Sequence, residues 1–152
     1  MRRLILTLAA IAVPLVAFAE AHDGNPAVKA RQSHMSLYSF NLGALGAMAK
    51  GDTPYDAELA QAHAEALASL ASQPEAGYWT EGTSNDEVEG TRALPAIWSD
   101  ADGFESARAG LEEATATLAG AAGNSLEELQ AAFGPTGAAC GTCHKTYRAE
   151  EE

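Results

Sequence analysis

The chain has 152 residues, a usual length for one domain, and its 21 acidic against nine basic side chains give a formal net charge of −12 at pH 7. Such a balance argues against nucleic-acid binding, which needs a basic face, and disfavours attachment to anionic membrane surfaces. It suits a partner protein with a basic docking patch, since complementary fields speed encounter, but solubility alone also accounts for it.

The first segment has the pattern of a secretory signal peptide at residues 1–19. Met1-Arg2-Arg3 is followed by a short uncharged apolar run and then by Ala17-Phe18-Ala19, a small-x-small cleavage site. The run is shorter than the about 20 apolar residues that span a bilayer, so an uncleaved membrane anchor is the less favoured alternative. We therefore predict an exported protein whose mature domain covers residues 20–152, with no stable membrane insertion.

Four helices are predicted in the mature part, which is rich in Ala, Leu, Glu and Gln and lacks the apolar–polar alternation of strands. Their start and stop signals place them at about 26–50, 54–73, 102–121 and from 125 onward. The predicted N-caps are Asn25, Thr53 and, with Glu128 at capping-box spacing, Ser125.

Each predicted helix has one apolar face, which we expect to be buried. On the first helix this face contains Val28, Arg31, Met35, Tyr38, Leu42, Leu45 and Ala49. The stripes of the other three helices contain Leu59, Ala66, Leu67 and Leu70, then Phe104, Leu111 and Leu118, then Leu126, Leu129 and Phe133.

A long connection at 74–99 separates the second helix from the third, and we expect Trp79 and Trp98 to pin it to the helices. Two helices, a long crossover and two further helices predict an all-α fold, an antiparallel four-helix bundle. Gly134-Pro135 interrupts the fourth helix, because proline removes one backbone hydrogen bond and clashes with the preceding turn. A kink or a break is therefore expected there.

The fourth helix ends with Cys140-Gly141-Thr142-Cys143-His144, the C-x-x-C-H signature of covalent haem c attachment. The two cysteines, which are the only ones in the chain, can each form a thioether with one haem vinyl group, and His144 can bind the iron from one axial side. A redox dithiol or half of a zinc site is the alternative. The sequence contains no second C-x-x-C or H-x-x-x-H pair that would complete a zinc site.

Several motifs around this pentad resemble those of the class II c-type cytochromes, the group that contains cytochrome c-prime and its low-spin relatives. The pentad lies near the C-terminus, follows Phe133-Gly134 and precedes Tyr147-Arg148. Arg31-Gln32 opens the first helix, Lys50 to Tyr55 links the first pair, and Leu94 to Trp98 lies in the crossover. The resemblance implies a haem inside the bundle, bound by the fourth helix and faced by the first.

The resemblance also assigns roles to individual residues. In the low-spin members a methionine four residues after the arginine of the Arg-Gln pair binds the iron, and that position is Met35. A thioether suits haem iron, but methionine also commonly fills gaps in a core, so core packing is the alternative. Arg31 and Arg148 occupy positions near the haem edge, where they would pair with propionates or limit solvent access. His34 is the rival ligand, but it is rotated by about 100° from Met35.

These features predict a periplasmic one-electron carrier, with His144 and Met35 as iron ligands and redox proteins as partners. The alternative is a five-coordinate protein that binds or scavenges nitric oxide or carbon monoxide. No nucleophile–base pair or phosphate loop indicates an enzyme. The sequence is compatible with either a monomer or a homodimer.

Overall fold

The computed structural model describes residues 24–150, in which five α-helices form. They are α1 (Pro26–Lys50), α2 (Ala57–Ala71), α3 (Ala96–Ser99), α4 (Ala101–Ala121) and α5 (Leu126–Tyr147). The predicted signal peptide at 1–19 lies outside the described residues. No helix in the described part of the chain is both long enough and apolar enough to cross a membrane.

The four long helices form a bundle in which α1 and α4 each pack against both α2 and α5. In each of these four helix pairs, a hydrogen bond joins a residue near the start of one helix to a residue near the end of the other. These bonds link His34 to Leu70, Gln61 to Ala119, Tyr147 to Asp100 and Gln130 to Ala49. All four contacts are therefore antiparallel, and the predicted all-α, antiparallel four-helix bundle is confirmed.

The ends of α1 follow the predicted signals. The Asn25 side chain accepts hydrogen bonds from the amides of Ala27 and Val28, and Gly51 ends the helix in a left-handed conformation with φ 80°. The start of α2 was wrong in the prediction, because Asp56 rather than Thr53 is the N-cap. The amide of Thr53 instead donates to the Ala47 carbonyl at 3.2 Å. Residues up to Thr53 therefore complete the end of α1, and α2 begins only at Ala57.

The predicted break at Pro135 does not occur, since α5 is helical throughout Leu126–Tyr147. The kink that the sequence offered as the alternative stays a prediction. Gly134, the neighbour of Pro135, helps the helix to accept this proline. Gly134 has no Cβ to clash with the proline ring, and this clash is one of the two that disfavour helical geometry before proline. Beyond it, the Thr136 hydroxyl is within hydrogen-bond distance of the carbonyls of Ala132 and Ala114, and the Ala114 contact links α5 to α4.

The buried apolar side chains form two clusters at different ends of the bundle. The larger one includes Leu45, Leu67, Leu118 and Leu129, one from each long helix. The smaller one lies where the crossover meets α4 and α5, and it contains Ala93, Ile97, Phe104 and Tyr147. The predicted stripes are largely buried, but Leu59 was assigned wrongly, since it is 56% exposed and the buried face of α2 contains Ala60, Ala64 and Leu67.

Gly103 in α4 provides a test of packing at the crossover end. A Cβ at this position would collide with the Asp100 carboxylate and lie 2.5 Å from the Tyr147 hydroxyl, the two groups that join α4 to α5. Gly103→Ala should therefore lower the free energy of unfolding by about 1–3 kcal/mol.

Gly110 is the matched control, because it lies in the same helix and a Cβ there would meet nothing within 4 Å. Gly110→Ala should raise the free energy of unfolding by about 0.5–1 kcal/mol, since alanine favours helix over glycine. Denaturant unfolding of both variants measures the difference. Equal effects of the two changes would show that the contact of Asp100 with Tyr147 does not constrain the packing.

Candidate functional site

A cavity of about 530 Å³ lies at the crossover end of the bundle. Its wall is formed by α1, α4, α5 and the crossover, with Ala71 from the end of α2. The lining side chains used below are Arg31, Met35, Tyr38, Leu42, Glu75, Trp79, Phe104, Arg108, Cys140, Cys143, His144 and Arg148. The cavity is thus bounded by the predicted apolar face of α1 on one side and by the end of α5 on the other.

The pentad contributes its three chemically active side chains to this cavity. Cys140 and Cys143 are free, half-buried thiols one helical turn apart on α5, and His144 follows them. Burial raises the pKa of both thiols, and for Cys143 the nearby Cys140 and Glu75 raise it further. Burial, with Arg148 and Arg92, lowers the pKa of His144, which favours the neutral imidazole that binds metals.

These residues fit a haem c group. The cavity has the size range of cofactor sites and a largely apolar wall, two thiols lie in it at the attachment spacing, and a neutral imidazole lies beside them. The zinc alternative has no support between residues 24 and 150, where no cluster of three or more His, Cys, Asp or Glu side chains could hold a metal ion.

The wall on α1 contains the side chains that the sequence placed on one helical face. Arg31, Met35, Tyr38 and Leu42 all line the cavity, and Met35 is 39% exposed. Met35 therefore lies in the same cavity as His144, on a different helix. Core packing was the alternative role for Met35, but Met35 is not among the buried residues of the larger apolar cluster. Met48, by contrast, is buried in that cluster.

Arg31 has an additional role that the sequence did not indicate. Its buried guanidinium donates to the hydroxyls of Thr83 and Thr91, both at 2.8 Å, and to the carbonyls of Tyr78 and Thr83. It also lies 5.3 Å from the centre of the Trp79 ring. Arg31 thus binds the crossover to α1. Its predicted pairing with a propionate stays a prediction, as does that of Arg148, which is exposed at the cavity edge.

The two other histidines within residues 24–150, His34 and His63, do not line the cavity. His34 is buried and its Nε2 donates to the Leu70 carbonyl at 3.1 Å, so it faces α2, as its rotation from Met35 predicts. His63 on α2 is half-buried, and its Nδ1 forms a 2.9 Å hydrogen bond with Asn41. His22 lies outside the described residues.

Three charged residues in the cavity wall, Glu75, Arg92 and Arg108, were not predicted from the sequence. Glu75 follows α2 and Arg108 lies in α4, and they form an ion pair at 3.2 Å. The Glu75 carboxylate also accepts a hydrogen bond from the indole of Trp79 at 2.6 Å. One signal was available for Arg108, because it lies between Phe104 and Leu111 at helical spacing, on the stripe predicted to be buried.

The Cytochrome C' family profile matches residues 26–148. The chain belongs to the cytochrome c' family. The cytochrome c' of Cereibacter sphaeroides is 43% identical over 148 residues, which cover 97% of this chain and 98% of that protein.

Solved structures of cytochromes c' have the same fold. The structure of "Cytochrome c' from Rhodobacter Spheriodes" is 44% identical, with a TM-score of 0.80, and the match covers 82% of this chain and 96% of that one. A nitric oxide complex of a cytochrome c prime variant from Alcaligenes xylosoxidans is 38% identical, with a TM-score of 0.71, and covers 82% and 94% respectively.

Family membership confirms the predicted cofactor, a covalent haem c, in a chain whose only two cysteines lie in the C-x-x-C-H pentad. It also confirms the wider resemblance to class II c-type cytochromes. The relatives described above carry the name cytochrome c' or cytochrome c prime, which does not support the narrower likeness to the low-spin members. The roles of Cys140, Cys143 and His144 in holding the haem follow from their places in the cavity and stay predictions.

Mass spectrometry of the exported protein tests the attachment. We expect the mass of residues 20–152 plus one haem, and the haem should remain with the chain after acid denaturation because thioether bonds are covalent. Replacing both Cys140 and Cys143 by alanine should abolish this retention. The single replacement Cys143→Ala should leave one thioether and a haem that still migrates with the chain. A denatured wild-type chain without haem would contradict the assignment.

Proposed function

We propose that the protein binds a small diatomic gas, nitric oxide or carbon monoxide, at the haem face lined by α1. This is the alternative function that the sequence left open. The observation that favours it is membership of the cytochrome c' family, in which a relative has a solved nitric oxide complex. His144 on α5 would bind the iron from the other axial side.

The cavity wall suits such a ligand. Met35 and Leu42 are uncharged side chains of α1 that line the cavity, so this part of the wall suits a small neutral molecule. Arg31 lies one helical turn before Met35, but its guanidinium is occupied by the crossover. The α1 side of the cavity therefore provides no free charged group that would act as an acid or a base.

A second function, the one-electron carrier, is favoured by the position of Met35. Its thioether is a soft ligand suited to haem iron, and it lies in the same cavity as His144. If Met35 bound the iron, no coordination position would be open to a gas, and electrons would be exchanged without a change of ligands. The two functions thus differ in one property, which is whether the sixth coordination position is open.

Optical spectra of the ferrous protein and its Met35→Leu variant distinguish the two functions. Gas binding predicts a high-spin ferrous spectrum that shifts with carbon monoxide, in both wild type and variant. The carrier predicts a low-spin wild-type spectrum with little response to carbon monoxide, and a change to high spin in Met35→Leu. That second pattern would contradict the gas-binding proposal.

Met48→Leu is the matched control for these spectra. Met48 lies on the same helix but in the larger apolar cluster, away from the cavity wall. A methionine-to-leucine change conserves volume and should cost less than about 1.5 kcal/mol of stability. Its spectra should match those of the wild type.

We also propose a periplasmic location and partner proteins with a basic docking surface. The segment 1–19 has the features of a signal peptide, and the relative from Cereibacter sphaeroides matches 97% of this chain, so its similarity extends into that segment. The net charge of −12 favours a basic partner. Electron exchange with such a partner should slow as ionic strength rises, and no dependence on salt would count against this docking.

A further inference from the structure

Glu75 and Arg108 place two opposite charges in the cavity wall. The Glu75 side chain is only 7% exposed, and its Oε2 lies 3.2 Å from Arg108 Nε. The same carboxylate oxygen accepts the hydrogen bond from the Trp79 indole. Both residues line the cavity together with the two cysteines of the pentad, so their charges lie beside the site that the haem occupies.

The two charges do not neutralise one another completely. Arg108, which is 27% exposed, also binds the carboxylate of Glu105 at 2.9 Å, so one guanidinium serves two carboxylates. Glu105 is 63% exposed, and water and salt screen its charge. Glu75 is screened much less because it is buried. The negative charge that is felt inside the cavity is therefore mainly that of Glu75.

Both charges also act on Tyr38, another side chain of the cavity wall. Burial raises the pKa of this α1 side chain, Glu75 raises it further, and Arg108 partly offsets that rise. Tyr38 lines the cavity wall on α1, whereas Arg108 lies on α4. A haem in the same cavity would lie close to the same two charges.

We propose that Glu75, held in place by Arg108 and Trp79, is a residue that sets the reduction potential of the haem by electrostatics. Uptake of one electron lowers the charge of the iron centre by one unit, so a buried carboxylate nearby stabilises the ferric state and lowers the potential. The inference requires a haem in the cavity and does not depend on whether the sixth coordination position is open or bound by Met35.

Glu75→Gln tests this effect because it removes the charge but keeps an oxygen that accepts from the Trp79 indole. The holoprotein is titrated spectroelectrochemically in the absence of gas. At a fixed applied potential we expect the ferrous-to-ferric ratio to rise about tenfold, which equals about 59 mV for one electron. A mere loosening of the crossover would admit water, favour the ferric state and shift the potential downward.

Glu105→Gln is the matched control, since it removes the same charge from the same arginine at an exposed position. In Glu105→Gln the ferrous-to-ferric ratio should change less than about threefold. Arg108→Lys retains the positive charge, so its ferrous-to-ferric ratio should also stay within about threefold of the wild-type ratio. The proposal would be overturned by an unchanged or lower potential in Glu75→Gln, or by a shift accompanied by a change of spin state. It would also be overturned by an equal shift in Glu105→Gln or by a tenfold change of the ferrous-to-ferric ratio in Arg108→Lys. Failure of gas binding would leave these results unaffected.

Discussion

The buried guanidinium of Arg31 holds the crossover against α1, and that contact places the crossover where it forms part of the cavity wall. Arg31 is only 3% exposed, and burial lowers its pKa, but arginine remains charged in proteins. A buried charge is tolerated only when its hydrogen bonds are satisfied. The hydroxyls of Thr83 and Thr91 and the neighbouring carbonyls provide those bonds. They bring a long, glycine-containing connection against the first helix, where it forms part of the cavity wall.

The same connection is attached to α5 from the other side. The chain after α5 forms an isolated antiparallel bridge between Ala93 and Arg148, with amide-to-carbonyl bonds from Leu94 to Tyr147 and from Ala149 to Arg92. The crossover therefore makes hydrogen bonds both to α1, which contains Met35, and to the end of α5, which contains the pentad. This arrangement explains how a cavity of about 530 Å³ persists in a bundle whose other end is closely packed.

The features that depend on a local pattern in the sequence could be predicted from it. Helical spacing placed Met35, Tyr38 and Leu42 on the face that lines the cavity, and the pentad gave the cofactor. The features that depend on contacts between distant segments could not be predicted from the sequence. The partners of Arg31 lie about fifty residues later in the chain, in a loop without periodicity. The start of α2 depends on how α1 ends, and the continuity of α5 through Pro135 depends on its neighbour Gly134 and on packing against α4.

The central claim is that His144 binds the haem iron from α5 and leaves the α1 side open to a gas. Resonance Raman spectroscopy of the ferrous protein tests it most directly, because the iron–histidine stretching band is prominent only in five-coordinate haem. The claim predicts that this band is present in the protein without added gas and is lost when carbon monoxide binds. Its absence, together with the marker bands of a six-coordinate low-spin haem, would contradict the claim and assign the α1 side to Met35.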